Sequence, residues 1–265
     1  MKKTLALLFA AVMLLALTGC TSEPQKPQNI VAVGHGHTLA MKTDGTLVAI
    51  GNNNNGQRGV GEWTDLTDIA VAYYHTVGLK SDGTVYCTAA EDEYHGNGAV
   101  RQWTDIVAIA AGYYHTVGIK ADGTVVAIGY NDFGQCEVSA LTDIVEAKAG
   151  FSHTVCRKSD GSFVSVGTNN NGEGDVASWG QEIVEYGVGS YNTVGLKNDG
   201  TVVVAGTGKY SQSDVEGWTD IVSIAVGSEH LVGIKSDGTA PPLEMRRERR
   251  EFFPYETGKG SLISS

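Results

Sequence analysis

The chain has 265 residues, of which 42% are hydrophobic, 35 are glycine and only 5 are proline, and its formal net charge is −11. This composition is typical of a globular protein with glycine-rich turns and excludes a proline-rich disordered chain. Residues 21–239 hold 26 acidic and 12 basic residues, a net charge of −14. Such a surface repels phosphate, so nucleic-acid binding is not expected.

The first twenty residues have the features of a leader peptide. Two lysines form a positive start, residues 4–16 are an apolar core too short for an ordinary membrane span, and Leu-Thr-Gly-Cys follows, ending at Cys20. This order resembles a bacterial lipobox, in which the cysteine is acylated and becomes the mature N-terminus. A plain secretory signal is the alternative. We therefore expect a lipoprotein signal peptide over 1–20, a polar tether over 21–28 and an extracytoplasmic position, lipid-anchored to the cell membrane.

A repeat begins after residue 28. An Asp-Gly turn recurs at intervals of 38, 40, 38, 39 and 38 residues, and its aspartates are Asp44, Asp82, Asp122, Asp160, Asp199 and Asp237. Seven residues before each turn stands His37, His75, His115, His153, Asn192 or His230. Recurrence at such a period indicates a repeated supersecondary unit.

The third unit shows what each repeat is expected to form. Residues 105–112, 115–120 and 124–129 predict three strands, the last two joined by the Asp-Gly turn, and residues 134–138 predict a short fourth strand. Four short strands in about 40 residues, repeated, are typical of β-propeller blades. A right-handed β-helix is the alternative, but its rungs are shorter and lack a tight hairpin in every unit.

The repeated pattern G-x-x-H-T-x-x-x-K-x-D-G-T-V-x-x-x-G-x-N-x-x-G-Q resembles the repeat of the regulator of chromosome condensation family, whose members are seven-bladed β-propellers. Its short period is similar to that of the bacterial branch, which includes secreted inhibitors of β-lactamases. The resemblance covers residues 29–239 and implies an all-β propeller of four-stranded blades. Five repeats are complete and a sixth stops after its Asp-Gly-Thr, which predicts an incomplete seven-bladed ring.

Residues 240–265 change abruptly to an arginine-rich composition. We expect an aberrant basic tail without fixed structure, produced by a frameshift, an assembly error or recombination, in place of one or two further blades. A basic membrane-binding segment is the alternative, but interspersed glutamates leave the tail with a net charge of only +1.

The repeated histidines and tryptophans predict scaffold positions. Equivalent residues on neighbouring blades cannot all come within about 2 Å of one metal ion. We expect each histidine to hydrogen bond within its own blade, a role that Asn192 can also fill. The large apolar residues near the end of the first five units are expected between the blades: Trp63, Trp103, Leu141, Trp179 and Trp218.

Neither the loops nor the cysteines predict a metal site or a cofactor. Residues 169–175 faintly resemble a calcium loop but offer only Glu173 and Asp175 as carboxylates, and asparagine and glycine also favour turns. The other cysteines, Cys87, Cys136 and Cys156, occupy different places in the repeat, and we expect buried small side chains.

The two positions before each histidine vary in kind, whereas scaffold positions repeat. They fall in the turn between the first and second strands, on one face of the ring, where exposed aromatic residues serve recognition. The alternative is that these rings cover strand ends. In the inhibitor branch the matching loop positions carry aromatic contact residues. The resemblance therefore implies these candidate partner-binding residues: Tyr73, Tyr74, Tyr113, Tyr114, Phe151 and Tyr191.

No motif for catalysis stands outside the repeat, and His95 beside acidic residues is explained by a solvated loop. The sequence therefore predicts a non-enzymatic, membrane-tethered module that binds a protein or glycan partner. The alternatives are an inhibitor of a secreted enzyme such as a β-lactamase, and a structural surface protein without a discrete site. The resemblance also implies guanine-nucleotide exchange activity as a third possibility. Export and an acidic surface argue against it.

Overall fold

The computed structural model describes residues 30–89, 96–206, 215, 217–228 and 230–241. The leader with Cys20, the tether, His95 and the tail from residue 242 lie outside these residues. The described residues form six antiparallel sheets in chain order, five with three strands and the last with two. A 3-10 helix at Asn97–Gln102 follows the second sheet. None of the helices found in the described residues is long and apolar enough to cross a membrane.

The strands, sheet by sheet, have the following bounds. They are β1 (Ile30–Val33), β2 (His37–Met41) and β3 (Leu47–Gly51); β4 (Leu66–Val71), β5 (Thr76–Lys80) and β6 (Val85–Cys87); β7 (Ile106–Ala111), β8 (His115–Lys120) and β9 (Val125–Gly129); β10 (Ile144–Ala149), β11 (His153–Lys158) and β12 (Phe163–Gly167); β13 (Ile183–Val188), β14 (Asn192–Lys197) and β15 (Val202–Gly206); and β16 (Ile221–Val226) and β17 (Leu231–Lys235).

The Asp-Gly turns form the expected hairpins. In the third sheet, Lys120 N donates to Thr124 O and Gly123 N donates to Lys120 O, both at 2.9 Å. Gly123 has φ +80, which a side chain disfavours. The Asp122 carboxylate accepts hydrogen bonds from the backbone N and the hydroxyl of Thr124 at 2.9 and 2.6 Å. A three-residue loop ending in a left-handed glycine results, and it fixes the register of β8 against β9.

The expected fourth strand is not present in the third repeat, and residues 131–138 form turns instead. Gly134 N donates to Asn131 O at 3.0 Å, and Cys136 N donates to the Asn131 side chain at 2.8 Å. Gln135 is fully buried and accepts from Phe133 N. Side-chain and turn hydrogen bonds thus satisfy a backbone that a strand would have paired in a ladder. The first and fourth repeats have the same turns at residues 52–60 and 169–176.

Large and small residues pair across the junctions between sheets. A Cβ atom on Gly118 of the third sheet would lie 2.9 Å from the ring of Trp103, which ends the second repeat. The same fit joins Trp63 to Gly78, Trp179 to Gly195, and Trp218 to Gly233. Where Leu141 replaces the tryptophan, the buried Cys156 replaces the glycine, and both belong to one apolar cluster. The aromatic residues are therefore inter-sheet core, as expected, and Cys156 belongs to this packing.

The six sheets surround a central cavity of about 580 Å³, which the ends of the first strands of all six repeats line. Consecutive first strands pack on each other from β1 through β4, β7, β10 and β13 to β16. Small antiparallel sheets that radiate from a common axis form a β-propeller. The predicted fold class is confirmed, with three strands in each described full sheet rather than four.

The first and last sheets each present an uncovered apolar face. Val31 is 64% exposed, whereas Ile109, in the same register position of the third sheet, packs on the core of the second. At the other end Val232 is 40% exposed, although its equivalent Val117 is fully buried under the fourth sheet. Within the described residues, the ring is therefore open between its first and sixth sheets.

Candidate functional site

The turns that follow the first strands gather at one face of the propeller. In the third repeat Gly112 N donates to His115 O at 2.9 Å, which closes the turn and presents Tyr113 and Tyr114. A Cβ atom on Gly112 would lie 2.6 Å from the carbonyl oxygen of Gly150 in the next sheet, so only glycine fits. The second repeat closes the same turn with Ala72 N donating to His75 O, so the position of the repeated histidine marks where the aromatic side chains emerge.

The aromatic side chains form one continuous arc. Ring centroids are separated by 4.5 Å for His35 and Tyr73, 4.1 Å for Tyr73 and Tyr113, 4.5 Å for Tyr113 and Phe151, and 5.9 Å for Phe151 and Tyr191. Each of the first five repeats contributes one ring. His35 holds the position in the first repeat that Tyr73 holds in the second, but it was not among the candidate residues predicted from the sequence.

A second row lies beside the arc. Tyr74 and Tyr114 stack with their centroids 5.4 Å apart, and each also contacts the arc residue of its own turn. These tyrosines are half-buried, whereas Tyr191 at the end of the arc is 37% exposed. The structure thus brings all six candidate residues together. Their rings lean on one another, and whether they contact a partner stays a prediction.

Two tyrosines of the face, Tyr113 and Tyr114, have raised pKa values. Burial, together with a hydrogen bond to Tyr74, raises the pKa of Tyr114 to about 12. Burial and a hydrogen bond to Tyr73 raise the pKa of Tyr113 well above its usual range. The face therefore offers a partner large apolar surfaces edged by uncharged hydroxyl groups.

Two further aromatic residues extend the face in the third repeat. Tyr130 N donates to Tyr114 O at 3.0 Å, which places Tyr130 beside Tyr114, and the turn anchored by buried Gln135 presents Phe133. Tyr114, Tyr130, Phe133 and Phe151 line a cleft of about 460 Å³. The sequence interpretation treated the loop at 131–134 as a turn alone and missed this cleft.

Buried histidines support the face from below. His115 Nε2 lies 2.8 Å from Thr154 Oγ1 in the fourth sheet, and Thr154 Oγ1 donates to Gln135 O at 2.9 Å. The hydroxyl of Thr154 has one hydrogen, which it donates to Gln135 O. Nε2 of His115 must therefore be the donor in its hydrogen bond to Thr154 Oγ1. Nδ1 is then unprotonated, and it is buried without a hydrogen-bond partner. Burial lowers the pKa of His115 to about 3, since a proton on Nδ1 would place an unsolvated charge there.

The same link crosses three other junctions: His37 to Thr76, His75 to Thr116 and His153 to Thr193. The expectation that each histidine bonds within its own blade was therefore wrong, because the imidazole points across the junction to the next sheet. The scaffold role is confirmed for these four residues. No cluster of potential metal ligands was found among the described residues.

The junction between the fifth and sixth sheets lacks this link. Asn192 replaces the histidine, and Leu231 stands where the next sheet would offer a threonine. Asn192 is fully buried, and its amide nitrogen and oxygen have no hydrogen-bond partner in the described part of the chain. Asparagine therefore does not reproduce the hydrogen bond that the histidines make.

The loop that resembles a calcium site uses its carboxylates within the fold. Glu173 is buried and accepts from Asn171 N at 2.8 Å, and Asp175 accepts from the Asn169 amide at 2.8 Å. Cys87, Cys136 and Cys156 have free thiols, and only Cys136 is partly exposed. These residues thus belong to the scaffold and not to the aromatic face.

The repeat and the fold agree with those of known proteins. The Regulator of chromosome condensation (RCC1) repeat matches residues 30–57 and 106–135. These stretches begin at the first strands of the first and third repeats and end at the buried glutamines Gln57 and Gln135. The protein is thus a β-propeller in which two stretches of the chain are similar to the RCC1 repeat. No curated protein sequence matches the chain.

Three solved structures illustrate the likeness. Prp20p from Saccharomyces cerevisiae, described with its binding properties to Gsp1p and histones, is 19% identical with a TM-score of 0.64, over 79% of this chain and 70% of Prp20p. Human WBSCR16 is 14% identical with a TM-score of 0.65, over 82% and 76%. The ectodomain of the Arabidopsis thaliana receptor kinase ACR4 is 19% identical with a TM-score of 0.63, over 80% and 85%. At these identities the structures establish the shared fold.

Proposed function

We propose that this protein is a non-enzymatic interaction module that binds a protein partner through its aromatic face. The observation that carries the proposal is the arc itself, in which five consecutive repeats each place one ring against the next. Tyrosine and phenylalanine supply large contact areas and lose little conformational entropy on binding. Because the rings already pack on one another, little further ordering is needed when a partner binds.

The chemistry of the face supports binding rather than catalysis. The four linked histidines are buried with Nε2 engaged, so their imidazoles cannot reach a substrate. The raised pKa values of Tyr113 and Tyr114 keep these two phenols protonated at neutral pH. The acidic balance of residues 21–239 would speed the approach of a basic partner through long-range attraction.

Capture of a partner by the full chain, purified in a non-ionic detergent, tests the proposal. One variant replaces Tyr73, Tyr74, Tyr113 and Tyr114 by alanine. The matched control replaces four exposed valines at the opposite ends of the first strands by alanine: Val107, Val145, Val184 and Val222. We expect the tyrosine variant to lose at least about a hundredfold in affinity, since interface tyrosines are frequent hot spots, and the control to bind as the wild type does. Equal binding by both variants would refute the aromatic face as the contact surface, and capture of glycans alone would refute a protein partner.

The resemblance to the inhibitor branch makes a secreted hydrolase one candidate partner. An inhibitor predicts that the full chain lowers the turnover of a β-lactamase and that the four-tyrosine variant does not. Unchanged turnover across a panel of such enzymes would remove this version and leave the interaction module standing.

The proposal also includes an extracytoplasmic position on the cell membrane, with a lipid on Cys20. The order of positive start, apolar core and lipobox in the leader supports this part. In cells, the variant Cys20→Ala is expected to leave the membrane fraction, and the lipid mass is expected to be absent from its N-terminal peptide. An unmodified Cys20 in the wild-type chain would contradict the anchor without affecting the aromatic face.

A further inference from the structure

The cleft beside the arc has four aromatic walls that meet at steep angles. The ring planes of Tyr114 and Tyr130 are inclined by 65°, those of Tyr130 and Phe133 by 71°, and those of Tyr114 and Phe151 by 74°. The three centroid distances lie between 5.8 and 6.0 Å. The volume of about 460 Å³ is that of a small-ligand pocket. Side chains arranged in this way present several ring faces to one group bound in the open cleft.

The charge distribution of the cleft favours a cation. Ring faces carry the negative end of the aromatic quadrupole, so a cation within about 6 Å of a ring centroid is attracted. The hydroxyl of Tyr130 donates a hydrogen bond to the Asp132 carboxylate, and this bond raises the pKa of Tyr130. A phenol that donates to a carboxylate has a more electron-rich ring, and the carboxylate adds a negative charge at the rim. Neither lysine nor arginine is among the residues that line the cleft.

The hydrogen-bonding capacity of the cleft selects among cations. Of its four residues only Tyr114 and Tyr130 carry a side-chain oxygen, and these hydroxyls already bond to Tyr74 and Asp132. An ammonium or guanidinium group would give up water at its N–H donors and would find few acceptors in return. A quaternary ammonium has no N–H donor, so it loses less on entering and keeps its full attraction to the rings.

We propose that the cleft formed by Tyr114, Tyr130, Phe133 and Phe151 is an aromatic cage for a quaternary ammonium group of the choline type. This inference goes beyond the proposed function, since it assigns a ligand of different chemistry to a neighbouring part of the same face. Tyr130 and Phe133 belong to the cage alone, whereas Tyr73 and Tyr113 belong to the arc alone. The two roles can therefore be separated by substitution.

Titration with choline tests the cage. The full chain in a non-ionic detergent is titrated with choline and with its uncharged isostere, in which a quaternary carbon replaces the nitrogen, and heat and tyrosine fluorescence are followed. Choline should bind about tenfold more tightly than the isostere, because only the charged form gains the cation–π attraction. Absence of choline binding at millimolar concentration, or equal affinity for both compounds, overturns the proposal.

Matched variants locate the binding. Phe133→Leu keeps an apolar side chain but removes a ring face, and Phe133 is 49% exposed, so folding is expected to be unaffected. It should weaken choline binding by about fivefold and leave the isostere unchanged. Val222→Ala, at the opposite end of a first strand and 58% exposed, should change neither. If Phe133→Leu has no more effect than Val222→Ala, the cleft is not the site.

Two further comparisons are needed. The first identifies the source of the ligand, and the second separates failure of the cage from failure of the proposed function. Selective retention of phosphatidylcholine vesicles over phosphatidylglycerol vesicles identifies a lipid headgroup, whereas binding of free choline alone identifies a small molecule. If choline binding fails while the four-tyrosine variant still loses its partner, the cage is refuted by itself. If choline binds while that variant keeps its partner, the proposed function is refuted and the cage stands.

Discussion

Acidification should weaken the propeller at its histidine links, and His115 allows the effect to be calculated. Its pKa is about 3 in the folded protein and 6.5 in the unfolded chain. Because the unfolded state takes up the proton more readily, the stability that depends on a neutral His115 is complete above pH 6.5. It is lost progressively as the pH falls from 6.5 toward 3. At pH 5 the loss amounts to about 2 kcal/mol for this one residue.

The measurement compares wild type with His115→Asn by urea unfolding, followed by circular dichroism, at neutral pH and at about pH 5. Asparagine at this position has no ionisable group, so the free energy of unfolding of the variant does not include the loss on acidification that comes from His115. The free-energy difference between the two proteins should therefore shrink by about 2 kcal/mol on acidification. Val107→Ala is the control, since Val107 is exposed and has no ionisable group, and its difference from wild type should change by less than about 0.5 kcal/mol. A His115→Asn difference that stays constant between the two pH values would refute a buried, neutral imidazole.

Three other predictions concern packing, backbone and thiols. Leu39→Ala should lower the free energy of unfolding by about 2–5 kcal/mol because Leu39 is fully buried, whereas Val31→Ala on the uncovered face should stay within about 0.5 kcal/mol in the same urea titration. A comparable cost at both positions would contradict an open first sheet. Gly129→Ala should lower the urea midpoint by the equivalent of about 1–3 kcal/mol, since Gly129 has φ +119 and a Cβ atom would clash with the backbone oxygen of Tyr114. Cys156, whose thiol pKa burial raises to about 12, should be alkylated at least about tenfold faster in urea than in the native protein, as mass spectrometry of iodoacetamide adducts would show.

The sequence alone was sufficient to predict the repeated hairpins and turns, because local chemistry determines them. An Asp-Gly pair specifies a hairpin loop wherever two strands flank it, and the loop at Asp122 follows that rule. The aromatic residues among the two positions before the histidines could be placed on one face for the same reason, since equivalent turns of a propeller lie at the same end. Periodicity thus predicted that these residues would lie on one face, and the structure adds the direct contact between Tyr73 and Tyr113.

Contacts across junctions could not be predicted in the same way. The partner of His115 is Thr154, a residue 39 positions away, and the repeat pattern alone does not tell whether an imidazole bonds within its sheet or across to the next. The fourth segment was wrongly predicted as a strand because its alternation resembles one, while a buried glutamine side chain supplies the competing hydrogen bonds.

The aromatic cleft was missed for a related reason. Tyr130 and Phe133 stand where the first repeat has Asn52 and Asn55, so two loop positions depart from the scaffold in the third repeat. That departure was a readable signal of the kind used for the tyrosine pairs. It was obscured because the asparagine and glycine residues around it already accounted for a turn.

The unlinked junction at Asn192 and Leu231 gives the propeller a polarity along its chain. Four junctions are tied by histidine and threonine, and at the fifth the buried amide of Asn192 has no partner among the described residues, so this junction lacks the hydrogen bond that ties the others. In a stack of repeats whose stability is the sum of neighbouring contacts, opening begins at the weakest junction. The strands β16 and β17 therefore form the end from which the array frays. The arc of aromatic rings ends at Tyr191, one sheet short of that end, on the part of the stack that stays assembled.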